Sequence, residues 1–390
     1  MSQDRRSIPL DCDSNQMDWY HFLALFVQGF LVAVVLTPAM RALAPKLGFL
    51  DQPGTRKVHH KPKPLLGGAA IYLSFLVCVL GNLLILNLLY QAGLTWSGWL
   101  GQQLSLLGTY AAGFYRVDHQ LYGLLGGSAL LFAVGLFDDR FGMSPFLKLG
   151  AQVIAAVILY IADIHIQLFV DWPFLNFGLT LAWLVLLTNS FNLLDNMDGL
   201  SGGVAMIALV ILGIATHLVS HQAFMSAASL VLAGCIAGFL IYNLYPSSIF
   251  MGDAGSLVIG FLVTALTIQS TYYQEGAAAQ SAWAVVMPLV ILAVPIFDTL
   301  TVIFIRVKNG KPIYIGDKNH FSHRLVKLGM SHRRAVFFIH LVTLCVGSGA
   351  LILATTNVFG AYIVLMQTVI IFILIAMLEF KINGVTQKQD

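Results

Sequence analysis

The sequence predicts an all-α, polytopic integral membrane protein with about eleven transmembrane helices, and residues 1–390 are treated as a single membrane domain. Charged residues make up only 10% of the chain, whereas hydrophobic residues make up 58%. Soluble domains carry about 25% charged residues, so this chain has too few charges to cover a soluble surface of its size. Apolar runs long enough to cross a bilayer also recur along the whole length. The two observations together exclude an ordinary soluble domain.

Each predicted span is an apolar run of about 20 residues, the length that crosses the hydrocarbon core of a bilayer. The spans are predicted at 21–43, 67–90, 121–137, 146–165, 176–194, 200–218, 224–243, 254–271, 283–306, 334–354 and 358–380. The first run is longer than the apolar core of a signal peptide, so we expect it to be retained. The segments 1–20, 307–333 and 381–390 are predicted to be an outer tail, a cytoplasmic substrate loop and a cytoplasmic tail.

The distribution of basic residues predicts the orientation. Of the 21 Lys and Arg residues, eighteen fall on one side of this topology, and only Arg5, Arg6 and Arg116 fall on the other. The positive-inside rule therefore puts the N-terminus outside and the C-terminus in the cytoplasm. The same topology gathers five aspartates from three separate inter-helix segments on the cytoplasmic side, together with the 307–333 loop. They are Asp138, Asp139, Asp195, Asp198 and Asp253.

The pair Asp138-Asp139 ends the third predicted span. Carboxylates at a helix C-terminus oppose the helix dipole by about 0.3–1 kcal/mol each, which favours a functional reason for them. Two adjacent carboxylates also repel each other, which raises a pKa and favours a general base. A solvated loop with Arg140 as the ionic partner is the alternative interpretation.

The segment 189–199 spaces polar side chains at intervals of three residues. Asn192, Asp195 and Asp198 share one face if this segment is helical, and oxygen ligands in that arrangement suit Mg²⁺. The alternative is that Asp198 or Ser201 caps the next helix, which explains only one of the polar residues.

Asp253 stands between glycines at the start of the eighth predicted span. It is well placed as a helix N-cap, and the glycines would let a phosphate approach the amides of the first turn. Capping alone is the alternative, although one aspartate can serve both roles.

Two basic segments belong to the same side. His320, His323 and Arg324 in the 307–333 loop indicate a phosphate clamp, whereas zinc binding is weakly supported and a purely topogenic loop stays open. The run 56–64, taken alone, is typical of contact with anionic lipid. Asp298, inside the ninth predicted span, is a functional candidate because membrane-embedded carboxylates usually are.

These groups together are those that phosphoryl transfer at a membrane surface requires: acidic oxygens that bind a metal ion, a base, and cations that bind phosphates. A transporter is the main rival, but transporters bind near the membrane midplane, where only Asp298 is a candidate. A scaffold or lipid-binding protein gives no reason for five aspartates on one side.

The chain resembles the polyprenyl-phosphate N-acetylhexosamine-1-phosphate transferases, which start O-antigen, enterobacterial common antigen and teichoic acid synthesis. The resemblance runs from about residue 51 to about residue 334. It is carried by RKVHHKPKPLLGG at 56–68, FAVGLFDDRFGMSP at 132–145, NSFNLLDNMDGLSGG at 189–203, IFMGDAGSLVIGF at 249–261, PIFDT at 295–299 and DKNHFSHRLVKLGMSHRRA at 317–335. It implies a Mg²⁺-dependent cytoplasmic site, with Mn²⁺ as a substitute, that transfers a sugar 1-phosphate from a UDP-N-acetylhexosamine to undecaprenyl phosphate and releases UMP. The run Leu-Asp-Asn-Met-Asp-Gly is closer to the GlcNAc-1-phosphate branch than to the muramoyl-pentapeptide branch.

The resemblance also implies roles for individual residues. Asp138 and Asp139 match the family's aspartate pair, with Asp138 as the proposed base towards the lipid phosphate, and Asn192 and Asp253 match metal-linked positions. Asp195 and Asp198 match site aspartates, with Asp198 near the nucleotide. The expected substrate-binding residues are Lys57, His59, Lys61, Asn189, Asp198, His320, His323 and Arg324. Many relatives have His-x-His-His where this chain has His320-Phe321-Ser322-His323, so Ser322 departs from the pattern.

The resemblance further implies a multi-pass protein of the inner (plasma) membrane, surrounded by membrane lipids and without a nucleic-acid partner, for which a homodimer is an open expectation. We expect a single displacement at the β-phosphorus, with a covalent aspartyl-phosphate as the alternative mechanism.

Overall fold

The computed structural model describes residues 19–53, 61–92, 118–167, 172–220, 222–270, 285–314, 319–353 and 355–386. These residues form thirteen helices and one small antiparallel pair of strands, so the all-α prediction is confirmed. The helices are α1 Trp19–Leu47, α2 Gly67–Ala92, α3 Asp118–Phe141, α4 Pro145–Ile161, α5 Pro173–Leu194, α6 Leu200–Ser220, α7 Ala223–Asn243, α8 Gly252–Gln269, α9 Met287–Ile291, α10 Ala293–Lys308, α11 Phe321–Lys327, α12 His332–Leu353 and α13 Val358–Thr386. Strands β1 (Leu50–Asp51) and β2 (Lys63–Pro64) pair with each other.

Nine helices within the described ranges are long and apolar enough to cross a membrane. They are α1, α2, α3, α5, α6, α7, α8, α12 and α13, which confirms a polytopic membrane protein. In lipid every backbone N–H and C=O must be satisfied internally, which is why the apolar runs fold as helices. The apolar helix α4 has 17 residues, and the α9–α10 segment is interrupted. The total of eleven spans therefore stays a prediction.

The ninth predicted span, 283–306, contains two helices rather than one within its described residues, 285–306. Helix α9 ends at Ile291, and α10 begins at Ala293 after Leu292 leaves helical geometry. Proline lacks the backbone N–H that an uninterrupted helix uses, so Pro295 cannot donate to the carbonyl of Ile291, four residues earlier. The missing hydrogen bond explains the break that the hydropathy pattern did not indicate.

The segments that carry the aspartates meet at one end of the helix bundle, which we call the acidic end. Arg140, in the last turn of α3, donates to the carbonyl of Gly48, just after α1. The amide of Gly67, at the start of α2, donates to the carbonyl of Phe250, just before α8, at 2.9 Å. Helix α1 therefore starts at the opposite end and finishes here.

Helix α8 lies at the centre of the bundle and fixes the geometry of this end. In its candidate span 83% of the residues are buried, compared with 17% in those of α1 and α13. Small residues let α2 and α3 approach its first turn closely, because Gly68 packs on Gly255 and Gly135 packs on Ala254. A side chain at either glycine would collide with the α8 backbone. The start of α8 is therefore held against the end of α3.

Candidate active site

A lysine joins two of the predicted carboxylates at the acidic end. The Lys148 ammonium contacts Asp138 Oδ2, from the end of α3, and Asp253 Oδ2, from the start of α8. The exposed fractions of the three side chains are 21%, 11% and 27%, so the cluster is partly open to solvent. The structure thus brings Asp138 and Asp253 together around one positive charge.

Lys148 was not among the predicted site residues, since it was counted only as one of the eighteen basic residues on one side of the topology. Ser144 and Pro145 begin α4, since Ser144 Oγ accepts a hydrogen bond from the amide of Leu147 at 3.4 Å and Pro145 occupies the first helical position. Lys148 then stands in the first turn of an otherwise apolar helix, six residues after Gly142. A single lysine at the head of an apolar helix is the signal that could have found it.

Asn192 occupies the other side of the Asp253 carboxylate. Its Nδ2 donates to Asp253 Oδ1 at 3.0 Å and to Ser256 Oγ at 2.9 Å. The two residues predicted to hold a metal ion are therefore in direct contact. Asp253 is held between an ammonium on one oxygen and an amide on the other.

Asp139, whose predicted catalytic role stays a prediction, is held by two backbone amides. Its Oδ1 accepts the amide of Asp253 at 2.7 Å, and its Oδ2 accepts the amide of Ala254 at 3.1 Å. Asp139 therefore caps α8 from another helix, which satisfies two amides that lack partners within α8. The prediction of Asp253 as the N-cap was wrong, because Asp253 lies inside α8, which begins at Gly252.

Gly252 makes this cap sterically feasible. Its φ of +72° is a left-handed conformation that favours glycine, and a Cβ there would collide with the Asp139 carboxylate. Gly252, the first glycine of the motif Gly-Asp-Ala-Gly, therefore allows Asp139 to approach the α8 amides.

Asp195 directly follows α5 and is partly exposed. The protein packed around its carboxyl group, and then the charges of Asp253 and Asp198, raise the pKa of Asp195 to about 7. It therefore changes charge near neutral pH and lies within electrostatic reach of the Asp138–Lys148–Asp253 cluster.

Asp198 faces a neighbouring part of the acidic end. Helix α5 stops at Leu194, so the single helical face considered for residues 192–198 does not form. Asp198 Oδ2 instead accepts the amide of Ser247 at 2.9 Å and lies 3.9 Å from Lys63 Nζ. Lys63, which also donates to Ser247 Oγ at 2.9 Å, was not among the predicted site residues.

Neither Asp198 nor Ser201 has the capping role that was considered as the alternative. Ser201 Oγ donates back to the carbonyl of Phe191 at 2.9 Å. Asn189, predicted to bind substrate, donates to Gln152 Oε1 at 2.9 Å and to the carbonyl of Val185 at 2.7 Å. Its substrate contact stays a prediction.

The 307–333 loop contains the short helix α11, and hydrogen bonds hold that helix against the acidic end. His320 Nδ1 lies 3.0 Å from Asp298 Oδ2, and the amide of Phe321 donates to Asp298 Oδ1 at 2.6 Å. Ser322 Oγ donates to Asn196 Oδ1 at 2.6 Å. The residue that departs from the family pattern therefore joins α11 to the turn between Asp195 and Asp198. The buried Asp298 anchors α11.

Two predicted contributors from the basic run 56–64, Lys57 and His59, lie outside the described residues. Lys61 is exposed, and its substrate contact stays a prediction. Arg324, predicted as a phosphate ligand, is buried and has internal partners: Nε is 3.0 Å from Glu379 Oε2, and another guanidinium nitrogen donates to Thr301 Oγ1 at 3.1 Å. Its guanidinium is thus engaged away from the Lys148 cluster.

The donor set fits a magnesium ion that takes most of its ligands from elsewhere. Over the part of the chain that the structure describes, no three His, Cys, Asp or Glu side chains converge as a complete metal cage. Asp138 and Asp253 nevertheless share one cation, the Lys148 ammonium, with Asn192 beside them. Mg²⁺ is commonly bound through one or two carboxylates plus waters and substrate phosphates, which matches this set.

The chain is similar to known proteins over the region that carries this cluster. A family model described as glycosyl transferase family 4 matches residues 121–271. This range includes Asp138, Lys148, Asn192 and Asp253. A probable undecaprenyl-phosphate N-acetylglucosaminyl 1-phosphate transferase of Bacillus subtilis is 29% identical over 375 residues, which cover 93% of this chain and 92% of the relative.

Two further relatives are more similar over somewhat less of the chain. The decaprenyl-phosphate N-acetylglucosaminephosphotransferase of Mycolicibacterium smegmatis is 31% identical over 350 residues, covering 82% of this chain and 79% of the relative. An undecaprenyl-phosphate alpha-N-acetylglucosaminyl 1-phosphate transferase of Haemophilus influenzae is 30% identical, covering 82% of this chain and 83% of the relative. The chain therefore belongs to glycosyl transferase family 4, the family of the polyprenyl-phosphate N-acetylglucosamine-1-phosphate transferases.

Proposed function

We propose that the protein transfers N-acetylglucosamine 1-phosphate from UDP-N-acetylglucosamine to undecaprenyl phosphate and releases UMP. The observation that carries this proposal is the cluster of Asp138, Lys148, Asn192 and Asp253 at one end of a membrane bundle. A lipid phosphate lies at the membrane surface, so a site there meets a lipid acceptor and a soluble nucleotide donor together. The names of the relatives support a polyprenyl phosphate acceptor and an N-acetylglucosaminyl donor.

We assign the acidic end to the cytoplasmic face of the plasma membrane. The eighteen basic residues that the positive-inside rule counts as cytoplasmic include Arg140, Lys148 and Arg324, and these three lie at the acidic end. Nucleotide sugars are soluble anions, so a basic cytoplasmic surface also suits the donor.

The proposed reaction is one displacement. An oxygen of the lipid phosphate attacks the β-phosphorus of the UDP-sugar, the bond from that phosphorus to the bridging oxygen breaks, and UMP leaves with the bridging oxygen. Lys148 neutralises negative charge on the pyrophosphate as it develops. Asp138 accepts the proton of a singly ionised lipid phosphate, since both oxygens of its neighbour Asp139 are occupied by α8 amides.

Magnesium is the proposed cofactor, and Asp253 with Asn192 beside it would hold the ion. When bound, it would neutralise pyrophosphate oxygens and fix their orientation. Asn192 orients the Asp253 carboxylate, and Asp139 holds the backbone from which Asp253 projects.

The test is a transfer assay with purified protein, UDP-[³H]GlcNAc, undecaprenyl phosphate and Mg²⁺. We expect lipid-extractable label and UMP in equal amounts, both abolished by a chelator. Asp253→Asn should lower the rate by about 10²-fold or more, because it removes charge at the reacting centre. Asp163→Asn is the matched control, because Asp163 is an exposed carboxylate beyond the C-terminus of α4, at the opposite end from Lys148. Label uptake into vesicles without UMP would support a transporter and contradict the proposal.

A phosphorylated protein intermediate distinguishes the two mechanisms. With donor carrying ³²P at the β-position, a covalent aspartyl-phosphate leaves label on the protein during turnover. A single displacement leaves none.

A further inference from the structure

Helix α13 carries one acidic residue, Glu379, near its C-terminal end. Only 7% of Glu379 is exposed. A buried carboxylate in a membrane helix is costly unless it is paired, so such residues usually have a specific partner and a role. The proposed reaction makes no use of Glu379.

The partner of Glu379 is Arg324, in α11. Arg324 Nε lies 3.0 Å from Glu379 Oε2, and only 9% and 8% of the two side chains are exposed. Among the described residues, Glu379 Oε1 has no hydrogen-bond partner, so the Arg324 guanidinium is what compensates the buried carboxylate. An ion pair of this kind depends mainly on charge.

Arg324 gathers several elements around this charge. Its other nitrogens donate to the carbonyl of Asn319, before α11, and to Thr301 Oγ1, in α10. One guanidinium therefore joins α10, α11, the segment before α11, and α13. Removal of the Glu379 charge would leave a buried cation without its counter-ion.

Helix α11 is also attached to the active site through its first turn and the residue before it. Ser322 Oγ reaches Asn196, between Asp195 and Asp198, and Asp298 receives His320 and the Phe321 amide. Within residues 320–325 every residue is buried except His323, which is half-buried and next to Arg324. The internal anchors therefore determine how His323 is presented.

We infer that Glu379 is a positioning residue, which holds Arg324, and through it α11, in the arrangement that presents His323 to the nucleotide sugar. This inference rests on the proposed function. It differs from the expectation that Arg324 binds phosphate directly. If Arg324 contacts phosphate directly, loss of Glu379 frees its guanidinium and improves binding of the nucleotide sugar. If Arg324 instead holds α11 in place, loss of Glu379 impairs binding of the nucleotide sugar.

The test compares Glu379→Gln, Arg324→Gln and the double variant in the full-length protein. We expect each single variant to raise the KM for UDP-GlcNAc about tenfold while kcat changes less than about threefold. The double variant should be no worse than either single variant, because both changes remove one ion pair. Glu379→Asp, which keeps the charge, should recover most of the affinity. Gln367→Ala, at an exposed polar position of the same helix, is the matched control.

Limited trypsin digestion supplies a readout that does not need activity. Lys327 is exposed at the end of α11, and cleavage after it should be faster in Glu379→Gln than in the wild type or Gln367→Ala. A wild-type KM together with a wild-type cleavage rate in Glu379→Gln would overturn the inference, as would a lowered KM. Absence of transfer by the wild-type protein would instead overturn the proposed function.

Discussion

Replacement of Lys148 by Gln removes the positive charge between two carboxylates, and its effect follows from their spacing. One ammonium contacts both Asp138 and Asp253, and two unit charges within about 5 Å of each other repel by about 3 kcal/mol or more at an effective dielectric of about 20. Protonation of one carboxylate relieves part of this repulsion. The variant should therefore unfold several degrees below the wild type in a chelator-containing buffer.

Magnesium should reverse this loss. An ion at 100 times its Kd stabilises the form that binds it by about 2.7 kcal/mol, which is close to the calculated repulsion. The unfolding midpoint of Lys148→Gln should therefore rise more steeply with Mg²⁺ than that of the wild type, in which the ion competes with the ammonium. The measurement is thermal unfolding in detergent across a Mg²⁺ titration.

The matched control is Lys308→Gln, which removes an exposed lysine at the end of α10. This control should behave like the wild type in both buffers. The reasoning is refuted if Lys148→Gln has the wild-type midpoint in chelator, or if its response to Mg²⁺ is no larger than that of the wild type. Transfer activity should fall by about 10²-fold in Lys148→Gln at saturating Mg²⁺, because the pyrophosphate loses a charge partner.

Two further predictions concern neighbouring aspartates. Asp139→Asn should lower the free energy of unfolding by about 1–2 kcal/mol, since the amide nitrogen of Asn cannot accept one of the two hydrogen bonds that Asp139 accepts from the α8 amides, and the same measurement with Asp163→Asn should show no change. Asp195 has its pKa raised from 3.8 to about 7, so the protonated form is favoured in the folded protein. Its contribution to stability is complete below about pH 4 and is lost as the pH rises through about 7, by at most about 4 kcal/mol. In metal-free buffer the unfolding midpoint should therefore fall between pH 5 and 8, and Asp195→Asn should flatten that slope; an unchanged slope contradicts the assignment.

The sequence predicted the helices well because hydropathy reports directly on membrane spans. Their ends were predicted less well, because hydropathy follows the bilayer and not the helix. The third span was predicted at 121–137, whereas α3 extends over Asp118–Phe141. Asp138 and Asp139 therefore lie on the helix itself, in its last turn. That position is what directs Asp139 at α8.

The sequence also allowed the side of the membrane on which the aspartates lie to be predicted, since topology alone brings inter-helix segments to a common end. The contacts between individual residues could not be predicted. Lys148 and Asp253 are 105 residues apart in sequence, and Asp139 and Asp253 are 114 apart. Local periodicity carries no information on such pairs, because they depend on how α3, α4 and α8 pack. The same limit explains why the ion pair between Arg324 and Glu379 was not predicted.

The ion pair between Arg324 and Glu379 has a consequence for biosynthesis. A ribosome makes α13 after every other described helix, so Glu379, the counter-ion of Arg324, is made after Arg324 and after the aspartates and Lys148 of the active site. Chains that stall or are truncated before Glu379 can contain all the aspartates and Lys148 and still leave α11 without its ionic anchor. Synthesis of α13 would then be needed for full affinity for the nucleotide sugar, and chains without α13 would bind the donor more weakly.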